Sequence, residues 1–99
     1  MWSSLGEAYL KSGRTDEAIA ALKQAIKLDP KRDSAMYYLS EAYAQRKDYG
    51  EAREMLTVLE RVNHGLASEA WHNLGVAYNK AGRINEANNA FQRAERLKP

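Results

Sequence analysis

Apolar residues recur along the chain three or four positions apart with polar residues between them, the spacing of a helix with one buried face. From Trp2 to Ser12 the apolar positions are 2, 5, 9 and 10, and Gly13 follows as a residue able to take positive φ and end the helix. A second stripe runs through Ala18, Ile19, Leu22, Ala25, Ile26 and Leu28. Thr15-Asp16-Glu17 precedes it with a capping hydroxyl and acids for the positive end of the helix, and Pro30 stops it. Asp33-Ser34 reads as the N-cap of a third helix reaching about Arg46. Lys47 then stands where Gly13 stood, so this turn needs either a costlier left-handed residue or another shape. A fourth helix is expected from about Tyr49 to His64, with Ala52, Leu56, Leu59 and Val62 inward. Gly65-Leu66 is expected to close it as a Schellman ending. Ser68, with Glu69 behind it, is expected to cap a fifth helix running to about Ala81 and closed by Gly82. A sixth spans about Ile84 to Leu97, with Ala87, Phe91, Ala94 and Leu97 inward. Six helices with short turns leave no room for strands.

The same letters return in register. Trp2-Ser3-Ser4-Leu5-Gly6-Glu7-Ala8-Tyr9 and Trp71-His72-Asn73-Leu74-Gly75-Val76-Ala77-Tyr78 share one frame, and Met36-Tyr37-Tyr38-Leu39-Ser40-Glu41-Ala42-Tyr43 repeats it more loosely. The copies begin 34 and then 35 residues apart, a period that marks stacked repeats. The recurring letters have a common physical use. Leu5, Leu39 and Leu74 fill the space within each helix pair. Gly6, Ser40 and Gly75 are small, so that the partner helix can approach at Ala18, Ala52 and Ala87. Tyr9, Tyr43 and Tyr78 pack between pairs, and Leu22, Leu56 and Phe91 are knobs from each second helix. One pair cannot bury its apolar face alone, so neighbours must stack.

On these residues the chain resembles three tetratricopeptide repeats: the Trp-Leu-Gly-Tyr frame, the Ala and Phe or Leu of each second helix, and the closing Pro30 and Pro99. The likeness covers essentially the whole chain. The middle copy departs from it at Met36, Ser40, Leu59 and His64. The resemblance implies an all-α, right-handed α-solenoid of three helix-turn-helix hairpins, with repeats at about 1–32, 33–67 and 68–99. It also implies a concave face, lined by the first helices, that binds a peptide or a partner's helix. Met1 lies one residue before Trp2 and leaves the first helix without an N-cap, so a fragment of a longer array is expected.

Composition narrows the function classes. Net charge is +2 over 99 residues, which gives a nucleic-acid partner little support. No apolar run reaches the length of a membrane span, and no signal peptide is recognisable. There is no cysteine, which fits a reducing compartment, and a cytoplasmic location is expected. The absence of a thiol, of a glycine-rich phosphate loop and of a nucleophile paired with His64 or His72 argues against an enzyme. No set of converging ligands suggests a metal, and no cofactor is expected.

Ligand contacts should fall on the positions between the repeat-defining letters of each first helix. Candidate binding residues are Glu7, Tyr37, Glu41, His72, Asn73, Val76 and Asn79. Tyr37 and His72 offer flat contact area, and Asn73 and Asn79 can each give and accept a bond to a peptide backbone. Some members of the family clamp acidic chaperone C-termini with basic and amide side chains. The corresponding places here hold Ser3, Glu7, Tyr38, Glu69 and Asn73, without a lysine or arginine. The expected ligand is instead a protein or peptide segment with apolar or basic side chains. The alternative is self-association, a homo-oligomer joined through the open ends of the stack, where Trp2, Leu5 and Tyr9 have no preceding helix.

Overall fold

Three turns of one shape divide the chain into helical hairpins. The computed structural model describes residues 1–99, which form α1 (Trp2–Lys11), α2 (Thr15–Leu28), α3 (Asp33–Gln45), α4 (Tyr49–Val62), α5 (His64–Lys80) and α6 (Ile84–Leu97). In each hairpin turn an N–H returns to the carbonyl five residues earlier: Arg14 to Tyr9, Asp48 to Tyr43 and Arg83 to Tyr78, each at 2.8 Å. That bond is the mark of a Schellman closure, which needs a left-handed residue just before the donor. Gly13 and Gly82 take it at φ 79° and 77°, and Lys47 takes it at φ 65°. The middle turn therefore keeps the shared shape and bears the strain. Lys47→Gly is expected to raise stability by roughly 0.5–1 kcal/mol, since relief of the Cβ clash outweighs the added backbone freedom. Thermal unfolding checks this.

The α4–α5 junction differs from the sequence expectation. Gly65 does not end α4; it lies inside α5, which begins four positions before Ser68. Asn63 makes the break. Its backbone is extended (φ −155°, ψ 98°), its Oδ1 accepts from the Leu66 N–H at 3.0 Å, and its Nδ2 donates to Asp33 Oδ2 at 2.8 Å. One side chain thus caps α5 and ties it to the start of α3. Ser68, expected as the cap, is buried and donates to the Ala94 carbonyl at 2.6 Å. The other expected caps also go elsewhere. Thr15 Oγ1 donates to Gln45 Oε1 at 3.0 Å, and Ser34 Oγ lies 3.2 Å from Ser3 Oγ. These hydroxyls join neighbouring repeats rather than helix ends.

Each odd helix packs on the next even one, α2 packs on α3, and α4 packs on α5. Helices α1, α3 and α5 lie side by side as an inner layer, with α2, α4 and α6 behind. Two buried apolar clusters result, one spanning the first and second repeats and one the second and third. Ile26, Tyr43 and Met55 pack against both and make the core continuous. The role of the small residues is sharper than expected. A Cβ on Gly6 would collide with the Leu22 side chain, and one on Gly75 would come 2.6 Å from Phe91 Cε1. Room is needed for the second-helix knob rather than for the alanine. Ser40, the middle counterpart, turns its hydroxyl back to the Tyr37 carbonyl at 2.7 Å. Leu39 and Leu74 are buried, whereas Leu5 is 38% exposed on the uncovered side of α1. No helix is long and apolar enough to cross a membrane.

Candidate functional site

The inner layer holds a cleft of about 610 Å³ between α3 and α5. Glu41, Ala44 and Gln45 line it from α3, and His72, Asn73, Val76 and Lys80 line it from α5. These side chains share a wall because positions three and four apart on a helix lie on one face. Leu56 and Leu74 add apolar surface beneath.

Beside the cleft, polar groups of α3 and α5 form one network. Asn73 Nδ2 donates to the Tyr37 hydroxyl at 2.7 Å and to Glu41 Oε1 at 3.3 Å. The Tyr37 hydroxyl in turn bonds to Glu41, and burial, then the Glu41 charge, pushes its pKa well above the ordinary tyrosine range. Burial likewise raises the Glu41 carboxyl, against the bonds from Tyr37 and Asn73 that favour its charged form, while Glu69 and Glu7 add repulsion. On α1, Lys11 Nζ lies 2.9 Å from Glu7 Oε2, and this bond holds the Glu7 carboxyl below its usual value. Tyr38, bonded to Glu7 and 5.3 Å edge-on to Tyr37, is raised chiefly by burial. Glu7, Glu41 and Glu69 thus gather at and beside the cleft, with Lys11 paired to Glu7, whereas Lys47 and Lys80 line the cleft itself.

The raised Glu41 carboxyl has a pH consequence. Its folded value exceeds the unfolded one near 4.5, so on raising pH the unfolded chain loses the proton first and stability falls until the folded group has ionised. Glu41→Gln keeps the shape and removes this loss. The variant is expected to melt higher than wild type near neutral pH, with the gap closing by about pH 4, as thermal melts across pH will show.

Of the sequence candidates, Tyr37, Glu41 and Asn73 meet in the network, and Glu41, His72, Asn73 and Val76 line the cleft. Glu7 sits apart on α1 with Lys11 and Tyr38, and Asn79 is exposed outside the lining. Asn73 spends its amide donor inside the protein, which leaves its carbonyl for a ligand. His72 is exposed, with its ring 5.1 Å from that of Phe91. Tyr49 and Lys47, from the α3–α4 turn, also line the cleft. Sequence spacing assigns them only to a helix start and a turn. No three His, Cys, Asp or Glu side chains converge as a metal would require.

Residues 4–61 match one family model described as Tetratricopeptide repeat, and residues 68–99 match a second with the same description. The chain belongs to the tetratricopeptide repeat family. It is 28% identical over 98 residues to anaphase-promoting complex subunit 3 of Schizosaccharomyces pombe, covering 99% of this chain and 15% of that protein. It is 33% identical over 75 residues to Superkiller protein 3 of Saccharomyces cerevisiae, covering 76% of this chain and 5% of that protein. The chain therefore spans only a small part of the relatives it matches. A crystal structure of MamA superposes with a TM-score of 0.78 at 27% identity, over 97% of this chain and 56% of that one. Tetratricopeptide repeats mediate protein–protein interaction, so the chain is an all-α helical-repeat interaction scaffold.

Proposed function

We propose that the cleft between α3 and α5 receives a segment of a partner protein bearing apolar and basic side chains. The observation that carries this reading is an apolar floor with a group of three acids, Glu41 at the wall and Glu7 and Glu69 near it, on the same inner face. Val76 is 37% exposed in a cleft that Leu56 and Leu74 also line. Glu41 lines it together with Lys47 and Lys80, Glu7 and Glu69 act on Glu41 from beside the cleft, and Lys11 is paired to Glu7. The Tyr37–Asn73–Glu41 bonds fix α3 against α5, so the ligand meets a preformed surface and little ordering cost is added on binding. The test uses a fluorescein-labelled peptide of alternating lysine and leucine. Glu7→Lys with Glu69→Lys reverses two acids without breaking the network, and is expected to weaken binding about tenfold or more. Equal affinity for wild type and the double variant would remove the cleft as the binding site.

A second reading, self-association, draws on Trp2 and Leu5, which are 36% and 38% exposed on one face of α1. Light scattering over a concentration series decides it. Mass rising with concentration supports end-to-end contact, and a strict monomer rules it out.

A further inference from the structure

On the opposite side from the inner cleft, α4, α5 and α6 enclose a second cleft of about 400 Å³. Its chemistry is the reverse of the first. Arg53, Arg93 and Arg96 line it, with Glu86 as the lining acid. Arg83 stands at its edge, stacked over the rings of Tyr49 and Tyr78 at 4.7 and 5.8 Å. Two carboxylates serve this group. Glu60 is taken by Arg93, at 2.8 and 3.1 Å. Glu86 lies 2.7 Å from Arg83 and only 3.7 Å from Arg53. Arg96 is exposed and pairs with neither. Four arginines therefore face two acids, and the surplus is concentrated on Arg96 and Arg53.

The repeat fold does not require this surplus. At the preceding junction, 34 or 35 positions earlier, the counterparts of Arg53, Arg83, Arg93 and Arg96 are Ile19, Asp48, Val58 and Arg61. The counterpart of Asn89 is Glu54. One arginine and two acids stand there in place of four arginines and an amide. Tyr78 has its counterpart in Tyr43, but Trp71, Tyr49 and Glu60 answer to Met36, Thr15 and Ile26, so the four-arginine set and the groups it engages belong to the second junction.

The geometry points to this cleft as a second binding site, one that takes an acidic segment of a partner protein. Arg53 is held in place by its 2.6 Å bond to the Tyr78 hydroxyl, which presents its guanidinium with little loss of side-chain freedom. Arginine forks match carboxylate geometry in a way that lysines do not. Asn89 and Gln92, also in the lining, supply amides for the backbone of the segment. The two faces would then sort partners by charge, basic segments in front and acidic ones behind.

A peptide of alternating glutamate and leucine is the probe, titrated at low salt against a Trp2→Phe protein so that Trp71, which lines the cleft, is the sole reporter. The expected result is a saturable change in Trp71 emission, weakened about tenfold by Arg96→Glu and progressively by added salt. Gln92→Glu, a second exposed change on the same rim, is expected to weaken it as well. Neither should alter the melting temperature or the binding of the lysine–leucine peptide. Failure to bind, equal binding to both variants, or binding without a change at Trp71 would each overturn the assignment. Displacement of the peptide by millimolar inorganic phosphate would also overturn it, because the cleft would then be a general anion sink.

Discussion

Trp71→Ala is expected to cost about 3–5 kcal/mol of stability, whereas Trp2→Ala costs under about 1 kcal/mol, although the two tryptophans hold the same place in the repeat. The difference comes from what covers them. Trp71 is 4% exposed and Trp2 36%. The Trp71 indole Nε1 donates to Glu60 Oε2 at 2.8 Å, and Arg93, itself paired to Glu60, lies 4.9 Å over the ring. Truncation leaves a cavity at the α4–α5–α6 contact and takes away a donor from a mostly buried carboxylate. For a domain of this size, whose whole stability is about 5–15 kcal/mol, such a loss brings the variant close to unfolding. Urea unfolding followed by circular dichroism gives both numbers. Equal losses at the two sites would mean that α1 is covered as well as α5 is.

Gly75→Ala is expected to destabilise by about 1–3 kcal/mol even though alanine is the better helix former by about 1 kcal/mol. An added Cβ would lie 2.6, 2.7 and 2.9 Å from three atoms of the Phe91 ring, so the partly buried ring must leave its place against α5. Steric overlap wins over propensity. Phe91 itself provides the control. In a Phe91→Ala background the clash is gone, so Gly75→Ala should become neutral or stabilising by up to about 1 kcal/mol. A double-mutant cycle showing simple additivity would refute the contact.

The repeat frame was readable because it rests on periodic apolar letters, and its turns because Gly13 and Gly82 announce a left-handed residue. Lys47 left two shapes open, and the Asp48 N–H returning to Tyr43 chose the strained one. The α4–α5 junction misled for a local reason. Gly65 and Ser68 carry the usual stop and start signals, yet Asn63 does both tasks from one position by pairing with Asp33, 30 residues away. No local pattern reveals such a partner. The same holds at the candidate site. Helical spacing placed Tyr37, Glu41 and Asn73 on inner faces, but that they bond to each other is a property of how α3 lies on α5. The rear cleft was legible only in part. Arg93 and Arg96 share one helix and one face by spacing, but only the packing of α6 on its neighbours sets them beside Arg53 of α4.

The most direct test of the inner cleft is backbone amide shift mapping of the 15N-labelled protein titrated with the unlabelled lysine–leucine peptide. Glu41, Ala44, Asn73 and Val76 are predicted to move together and to saturate at one affinity, while the outer faces of α2, α4 and α6 stay still. Shifts confined to α1, or spread over the outer helices with the α3–α5 cleft unmoved, would contradict the account.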